Sequence, residues 1–302
     1  MRSVKTSIII VTYNCSDVIE ENLISSIGQE NAEIILIDNG SSDDTLKRIS
    51  KYRSHILLIQ NSKNLGFTSA CNQGIKKAQG KYIMFLNPDA SLHKGSLKVL
   101  SDILDSNSHI GAVAPNLYYP NGDFQNYTRR FPTPFGLFIE SFIPKRFWNS
   151  FRAYRNYTYH DLNFNMEVTV EQPAGAAILF RNKFILDESF FIYWSDVDLC
   201  RQIIDQGYKI TQTPLAKAIH HQSKGGTEVS NLRVYLDADF YYGARFYFKK
   251  YNHKYRLVFY CMLFFFGLIF SAIISIVNGG FFNKIYKIRL FLTNSNFTSI
   301  YR

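Results

Sequence analysis

From Tyr241 to Arg302 the chain contains not one Asp or Glu, while nine Lys or Arg fall in the same stretch. The 302 residues include 34 basic and 24 acidic side chains, so this C-terminal fifth supplies nearly all of the excess of 10. The preceding 240 residues are close to neutral. A basic segment without acids leaves two anionic partners, nucleic acid or a membrane surface. Cysteine is scarce too. Cys15, Cys71, Cys200 and Cys261 form no C-x-x-C pair and no zinc spacing, which excludes a zinc framework and fits a reducing compartment. There is no G-x-x-x-x-G-K-[ST], which excludes a Walker phosphate loop, and no G-x-G-x-x-G after a strand, which speaks against a dinucleotide site. G-x-S-x-G is missing, and no Cys has a neighbouring His, so no nucleophile constellation is evident. No cleavable signal is expected at the N-terminus, because SIIIV is too short and leads straight into polar residues.

What is abundant is aromatic: 26 Phe and 20 Tyr bring the aromatic share to 16%. These side chains must be buried, or must face lipid or sugar. The tail decides between its two anionic partners. LVFYCMLFFFGLIFSAIISIVN, residues 257–278, carries no charge over 22 residues. As a helix it would be about 33 Å long, against a hydrocarbon core of about 30 Å. Core helices seldom run this far without a polar face. A membrane, with anionic lipid as partner and no nucleic acid, is therefore expected. The larger basic cluster lies upstream of the run, which favours the main domain on the cytoplasmic side of the inner membrane. A single span and a monotopic hairpin turning at Gly279 and Gly280, with FFNKIYKIRLFL along the interface, both remain open.

The first 115 residues alternate. SIIIVTY, AEIILID, HILLIQN, KYIMFLN and IGAVAP are short apolar runs of the kind found in strands covered on both faces. Helical patterns separate most of them, over 17–28, 43–52, 68–78 and 95–104. This predicts an α/β fold with an open, mostly parallel sheet and flanking helices, whose ligand lies beyond the C-terminal strand ends. Polar residues gather at those ends: Thr12-Tyr13-Asn14, Asp38 to Asp43, Asn64-Leu65-Gly66-Phe67 and Asn87-Pro88-Asp89-Ala90. Each alone is a plausible turn, but four on one edge make a shared polar site.

After Pro115 the pattern loosens, and residues 116–164 read as an excursion from the sheet. VEQPAGAAILF returns as a strand in which Gly175, Ala176 and Ala177 leave room for a close approach to the backbone. FFIYWSDVDL then sets Asp196 and Asp198 behind aromatics at a helix start. Capping of that helix explains the pair on bland terms, and a catalytic base at the rim of an apolar pocket on sharper ones. PLAKAIHHQSKGGT brings His220 and His221 into a Gly-rich loop.

Taken in order, SIIIVTYN, IIDNGSSDDT, NLGF, NPDA, the Gly-Ala strand, FFIYWSDVDLC and the AIHH loop resemble glycosyltransferase family 2 and its GT-A fold, in particular a bacterial rhamnosyltransferase-like branch. The resemblance covers about residues 6–226. It implies a catalytic domain over 1–235, with a nucleotide-binding half at 1–115 and an acceptor half at 116–235, followed by a membrane-associated tail at 236–302. The reaction it implies is an inverting transfer of a sugar from a nucleotide-diphospho-sugar donor. L-rhamnose from dTDP-rhamnose is the expected donor, and a lipid-linked saccharide in surface polysaccharide assembly the expected acceptor.

Such a transfer must hold the nucleotide, neutralise the departing diphosphate and deprotonate the acceptor hydroxyl. Asp38 is placed to accept from a base N–H, with Thr12, Asn14, Asn64, Gly66 and Asn87 along the same cleft. The family's D-x-D is Asn87-Pro88-Asp89 here, so Asp89 would ligate a divalent metal, Mn2+ or Mg2+, with one carboxylate fewer than usual. His220 matches a histidine that can join that metal, with His221 as the fallback. The family's Glu-Asp-x-Asp is Ser195-Asp196-Val197-Asp198, which makes Asp196 the base and Asp198 a supporting group. Gly175, Tyr193 and Trp194 would border the sugar pocket, the aromatics by stacking. The two departures, Asn87 and Ser195, keep alive a non-catalytic nucleotide- or glycan-binding subunit of an assembly complex. A metal-dependent hydrolase of nucleotide sugars is a further alternative.

Overall fold

The computed structural model describes residues 4–221, 232–251 and 253–278. Gly279, Gly280 and the segment FFNKIYKIRLFL, like the Gly-rich part of the histidine loop, lie outside the described residues. In chain order the elements are β1 (Thr6–Thr12), α1 (Ile19–Ile27), β2 (Ala32–Asp38), α2 (Thr45–Ser50), β3 (Ile56–Gln60), α3 (Phe67–Lys77), β4 (Tyr82–Leu86), β5 (Ala90–Leu92), α4 (Ser96–Ser106) and β6 (Ile110–Tyr118). They continue with α5 (Pro134–Phe142), α6 (Arg152–Tyr157), β7 (Val168–Val170), β8 (Ala177–Arg181), α7 (Ser195–Asp205), β9 (Lys209–His220), α8 (Leu232–Lys250) and α9 (Lys254–Asn278).

The chain forms two compact units. The first comprises residues 1–128, 162–189 and 195–228, and the second 129–161, 190–194 and 229–302. This differs from the expected split at residue 235: part of the 116–235 half gathers with the C-terminal helices. The cause is apolar cover. Phe142 at the end of α5 packs edge-on against Phe264 of α9, with ring centroids 5.1 Å apart, and Gly267 admits the same ring.

The first unit is built on one sheet of strand order β3-β2-β1-β4-β8-β6-β9-β5, with β7 on β9. β1, β2, β3 and β4 pair in parallel, as their Ile- and Leu-rich runs predict. Every residue of β1 and β4 is buried. β8 enters antiparallel between β4 and β6, and β9 runs parallel to β6 while receiving β5 and β7 antiparallel. VEQPAGAAILF is two strands, β7 and β8, separated by residues 171–176, which turn at Gly175 and Ala176. In β9 a register shift around Pro214 absorbs the missing N–H of that residue.

In the second unit, α5 starts at Thr133, whose Oγ1 accepts from the Gly136 N–H, with Pro134 as first helical residue. Ile139, Tyr154 and Tyr157 form a small core there.

Candidate active site

In the first unit, Thr12 and Asp38 are register partners on β1 and β2. The Thr12 hydroxyl donates to Asp38 Oδ1 at 3.0 Å, and Ser41 donates to the same carboxylate from its hydroxyl at 2.6 Å and its N–H at 3.1 Å. A carboxylate offers about four lone-pair sites, so roughly one, on Oδ2, is not taken up among the described residues. Asn14, with φ of 49°, ties β1 to the same loop by accepting from the Ser42 N–H.

The hub of the next loop is Asn39, which the sequence reading did not single out. It donates to Asn64 Oδ1 (2.8 Å) and the Gly66 carbonyl (3.1 Å), and accepts from Asn61 (3.1 Å) and the Leu65 N–H (3.0 Å). Gly66 has φ of 88°, and Asn64 closes the turn by accepting the Gly66 N–H. At Gly40 a Cβ would come within 2.9 Å of the Lys63 backbone, so the two loops meet main chain to main chain. Thr12, Asn14, Asp38, Asn64 and Gly66 are thereby brought into one rim. The only cue to Asn39 was its place in a D-N-G-S-S run.

Asn87 and Asp89 flank the turn out of β4. Buried Asn22 of α1 holds that turn by donating to the carbonyls of Asn87 (2.8 Å) and Ala90 (2.7 Å). Ala90 pairs with His220 across β5 and β9, and this pairing sets His220 Nε2 3.4 Å from Asp89 Oδ1. His221 instead turns its Nε2 to Glu21, at 2.9 Å.

The tautomer of His220 follows from its other neighbour. Gln125 donates its amide to the His220 carbonyl, which leaves Gln125 Oε1 as the acceptor 2.7 Å from Nδ1. In the neutral ring Nδ1 then carries the proton, and Nε2 aims a lone pair toward the carboxylate. Two electron-rich groups converging in this way fit a hard cation between them. No group of three or more His, Cys, Asp or Glu able to hold a metal occurs among the described residues. Asp89 and His220 therefore need oxygens from elsewhere, such as a diphosphate, to complete a coordination sphere.

Asp196 lies in the first turn of α7 and accepts the Val197 N–H at 2.9 Å. Burial pushes its carboxyl above the ordinary aspartate range, against the backbone N–H groups of Val197 and Asp196 itself. The close approach anticipated at Gly175 is made by this side chain. A Cβ on Gly175 would come 2.6 Å from Asp196 Oδ2 and 2.9 Å from its Cβ. The Asn87 N–H donates to the carbonyl of Ala176, the next residue, at 2.9 Å. One backbone hydrogen bond and one van der Waals contact thus connect the Asn87–Asp89 turn with Asp196. Asp198 is fully buried and accepts from Gln202 at 2.7 Å, so it holds the helix instead of facing solvent.

Tyr193 and Trp194 belong to the second unit. Trp194 takes φ of 75°, is buried, donates from Nε1 to the Phe240 carbonyl at 2.9 Å and lies on Gly243. Its ring is spent on packing. Tyr193 keeps 38% of its surface exposed and meets Phe240 edge-on, with ring centroids 6.0 Å apart. Asp239, absent from the sequence reading, accepts the N–H groups of Ile192 and Tyr193 at 3.3 and 2.9 Å. Burial pushes Cys15 up to about 12, and Cys71 and Cys200 well above their ordinary value.

A parallel nucleotide-type sheet with an oxygen-rich edge and a half-buried carboxylate of raised pKa matches a transferase acting on a nucleotide-activated group. Residues 7–184 match the model of Glycosyl transferase family 2, and the chain belongs to this family. It is a glycosyltransferase with the GT-A fold. It is 25% identical over 252 residues, 76% of its length and 80% of the relative's, to N-acetylglucosaminyl-diphospho-decaprenol L-rhamnosyltransferase of Mycobacterium tuberculosis. It is 43% identical over 86 residues, 28% of its length and 34% of the relative's, to the UDP-Glc:alpha-D-GlcNAc-diphosphoundecaprenol beta-1,3-glucosyltransferase WfaP of Escherichia coli. Among solved structures, GalNAc-T7 with UDP, GalNAc and Mn2+ superposes with a TM-score of 0.56 at 16% identity, over 72% of this chain and 44% of that one.

Proposed function

We propose that the chain moves a deoxyhexose, L-rhamnose from dTDP-rhamnose, onto a lipid-linked saccharide at the cytoplasmic leaflet by inverting single displacement. The observation that carries this reading is the connection from the Asn87–Asp89 turn through Ala176 and Gly175 to Asp196. It joins the leaving-group end of a donor to a carboxylate whose pKa is raised, as a general base requires. Asp196 takes the acceptor's hydroxyl proton as that oxygen bonds to the anomeric carbon. The bond from that carbon to the diphosphate breaks, and its electron pair leaves with the diphosphate. A divalent cation, Mn2+ or Mg2+, held by Asp89 and His220, would neutralise the charge that develops there. Asp38 and the Asn39–Asn64 loop hold the nucleotide. The relatives named above act on polyprenyl diphosphate saccharides, and this supports a lipid-linked acceptor.

The test measures nucleotide release from dTDP-, UDP- and GDP-sugars by detergent-solubilised protein. Each run is made with and without Mn2+ or Mg2+ and with lipid-linked saccharides. Metal-stimulated, acceptor-dependent release from dTDP-rhamnose is expected. Release from UDP-glucose alone would move the donor, and donor binding without release would indicate a binding subunit.

A further inference from the structure

α9 has two faces that share no residue. Tyr260, Phe264, Leu268 and Ala272 recur every four residues and are buried, whereas Tyr255, Phe259, Met262, Phe266, Phe270 and Ile273 are exposed. At about 100° per residue, the exposed set falls within roughly 80° of arc, opposite the buried set, and exposed Val258 widens it to about 120°. The buried face is sealed inside the second unit. Tyr241 and Phe248 of α8 lie 5.4 and 5.5 Å from Phe264 and Tyr260, and Phe142 of α5 covers Phe264 from another side.

Length and composition would let α9 cross a bilayer. Its packing does not. A span would draw α5 and α8 into hydrocarbon with it, and with them Glu140, Asp239 and Arg245. Ionised groups at that depth are costly. The exposed face is a continuous aromatic and aliphatic stripe, preceded by Lys249, Lys250, Lys254 and Arg256, all exposed, with no acid from Tyr241 onward. Apolar stripe and basic flank together match an anionic lipid surface.

We infer that α9 is an in-plane membrane-docking helix, which lays the stripe from Tyr255 to Ile273 into an anionic leaflet without crossing it. This deepens the reading of the enzyme as acting on a lipid-linked acceptor, and rests on it. The attachment would keep the chain at the leaflet that carries that acceptor.

The test uses the full chain with single substitutions Phe259→Trp, Phe266→Trp and Ile273→Trp. Fluorescence is read against vesicles of phosphatidylcholine and phosphatidylglycerol that carry bromine at a shallow or a deep acyl position. The wild type, with Trp148 and Trp194, supplies the background. Equal, shallow quenching at all three positions is expected, with binding lost in pure phosphatidylcholine at high salt. The double variant Phe266→Ser with Phe270→Ser should partition about a hundredfold more weakly. Deep quenching at Phe266→Trp with shallow quenching at both ends would establish a span and overturn the inference. Absence of quenching, with a dimer by light scattering, would assign the stripe to a second copy and overturn it equally. Neither readout involves turnover. Transfer to a short-chain acceptor in detergent can therefore succeed or fail independently of it.

Discussion

Replacing Gly175 by Ala should cripple catalysis while leaving the fold and donor binding nearly intact. The three atoms nearest to the added methyl all belong to Asp196: Oδ2 at 2.6 Å, Cβ at 2.9 Å and Cγ at 3.1 Å. Ordinary carbon contacts begin near 3.5 Å, so the carboxylate must retreat by the order of 1 Å. The backbone at Gly175 has no positive φ and accepts Ala without strain. Overpacking of this kind costs about 1–3 kcal/mol, little of it in the substrate-free edge formed by Asp38 and Asn39. A displacement of about 1 Å costs roughly 10²-fold in rate, within the 10²–10⁴ that a positioned base contributes. Steady-state kinetics should therefore show kcat reduced about 10²-fold with donor KM changed less than about threefold. A cycle with Asp196→Asn should be strongly non-additive, because both changes remove one function. Wild-type kcat in Gly175→Ala, or additive losses in the double variant, would refute the assignment of Asp196 as a base positioned by this contact.

Other outcomes follow from the same geometry. Because burial raises the Asp196 pKa, kcat should fall with decreasing pH on an acid limb lying above the ordinary aspartate range; a pH–rate profile checks this, and Asp196→Asn should abolish the limb. Asp239 is pushed from 3.8 up to about 6 by burial, so the folded state holds its proton more tightly than the unfolded chain does. Its contribution is most favourable below about pH 4 and is lost as pH rises through 6, by about 3 kcal/mol. The difference in denaturation free energy between wild type and Asp239→Asn, measured at pH 4.5 and 7.5, should change in that direction. Asn39→Ala removes four hydrogen bonds and strands the Leu65 N–H, which should cost about 2–4 kcal/mol in urea denaturation and weaken nucleotide binding in calorimetry.

The parallel half of the sheet was legible because β1, β2 and β4 are covered on both faces, and continuous apolar runs have no other economical fold. The turns at their ends were legible as a group, since Asn, Asp and Gly mark turn chemistry wherever they stand. What escaped was whatever depends on partners distant in sequence. α5 was hidden in the loose stretch 116–164 although Phe135, Phe138 and Phe142 recur at helical spacing, because the ring that covers Phe142, Phe264, lies far along the chain. The small residues at 175–177 announced a close approach but could not say by what; Asp196 is 21 positions away. Trp194 read as a sugar-stacking wall because sequence cannot tell an exposed ring from one resting on Gly243. α9 was apparent as an apolar run, yet its division into a sealed and an open face appears only once Tyr260 and Phe264 meet α8.

The most direct test of the central claim pairs two readouts on Asp196→Asn: donor binding by calorimetry, and acceptor-dependent release of the nucleotide diphosphate with Mn2+ or Mg2+. The account predicts donor affinity within about threefold of wild type and release slowed by 10²-fold or more. Release at the wild-type rate, with binding intact, would contradict it, because another group would then be taking the acceptor's proton.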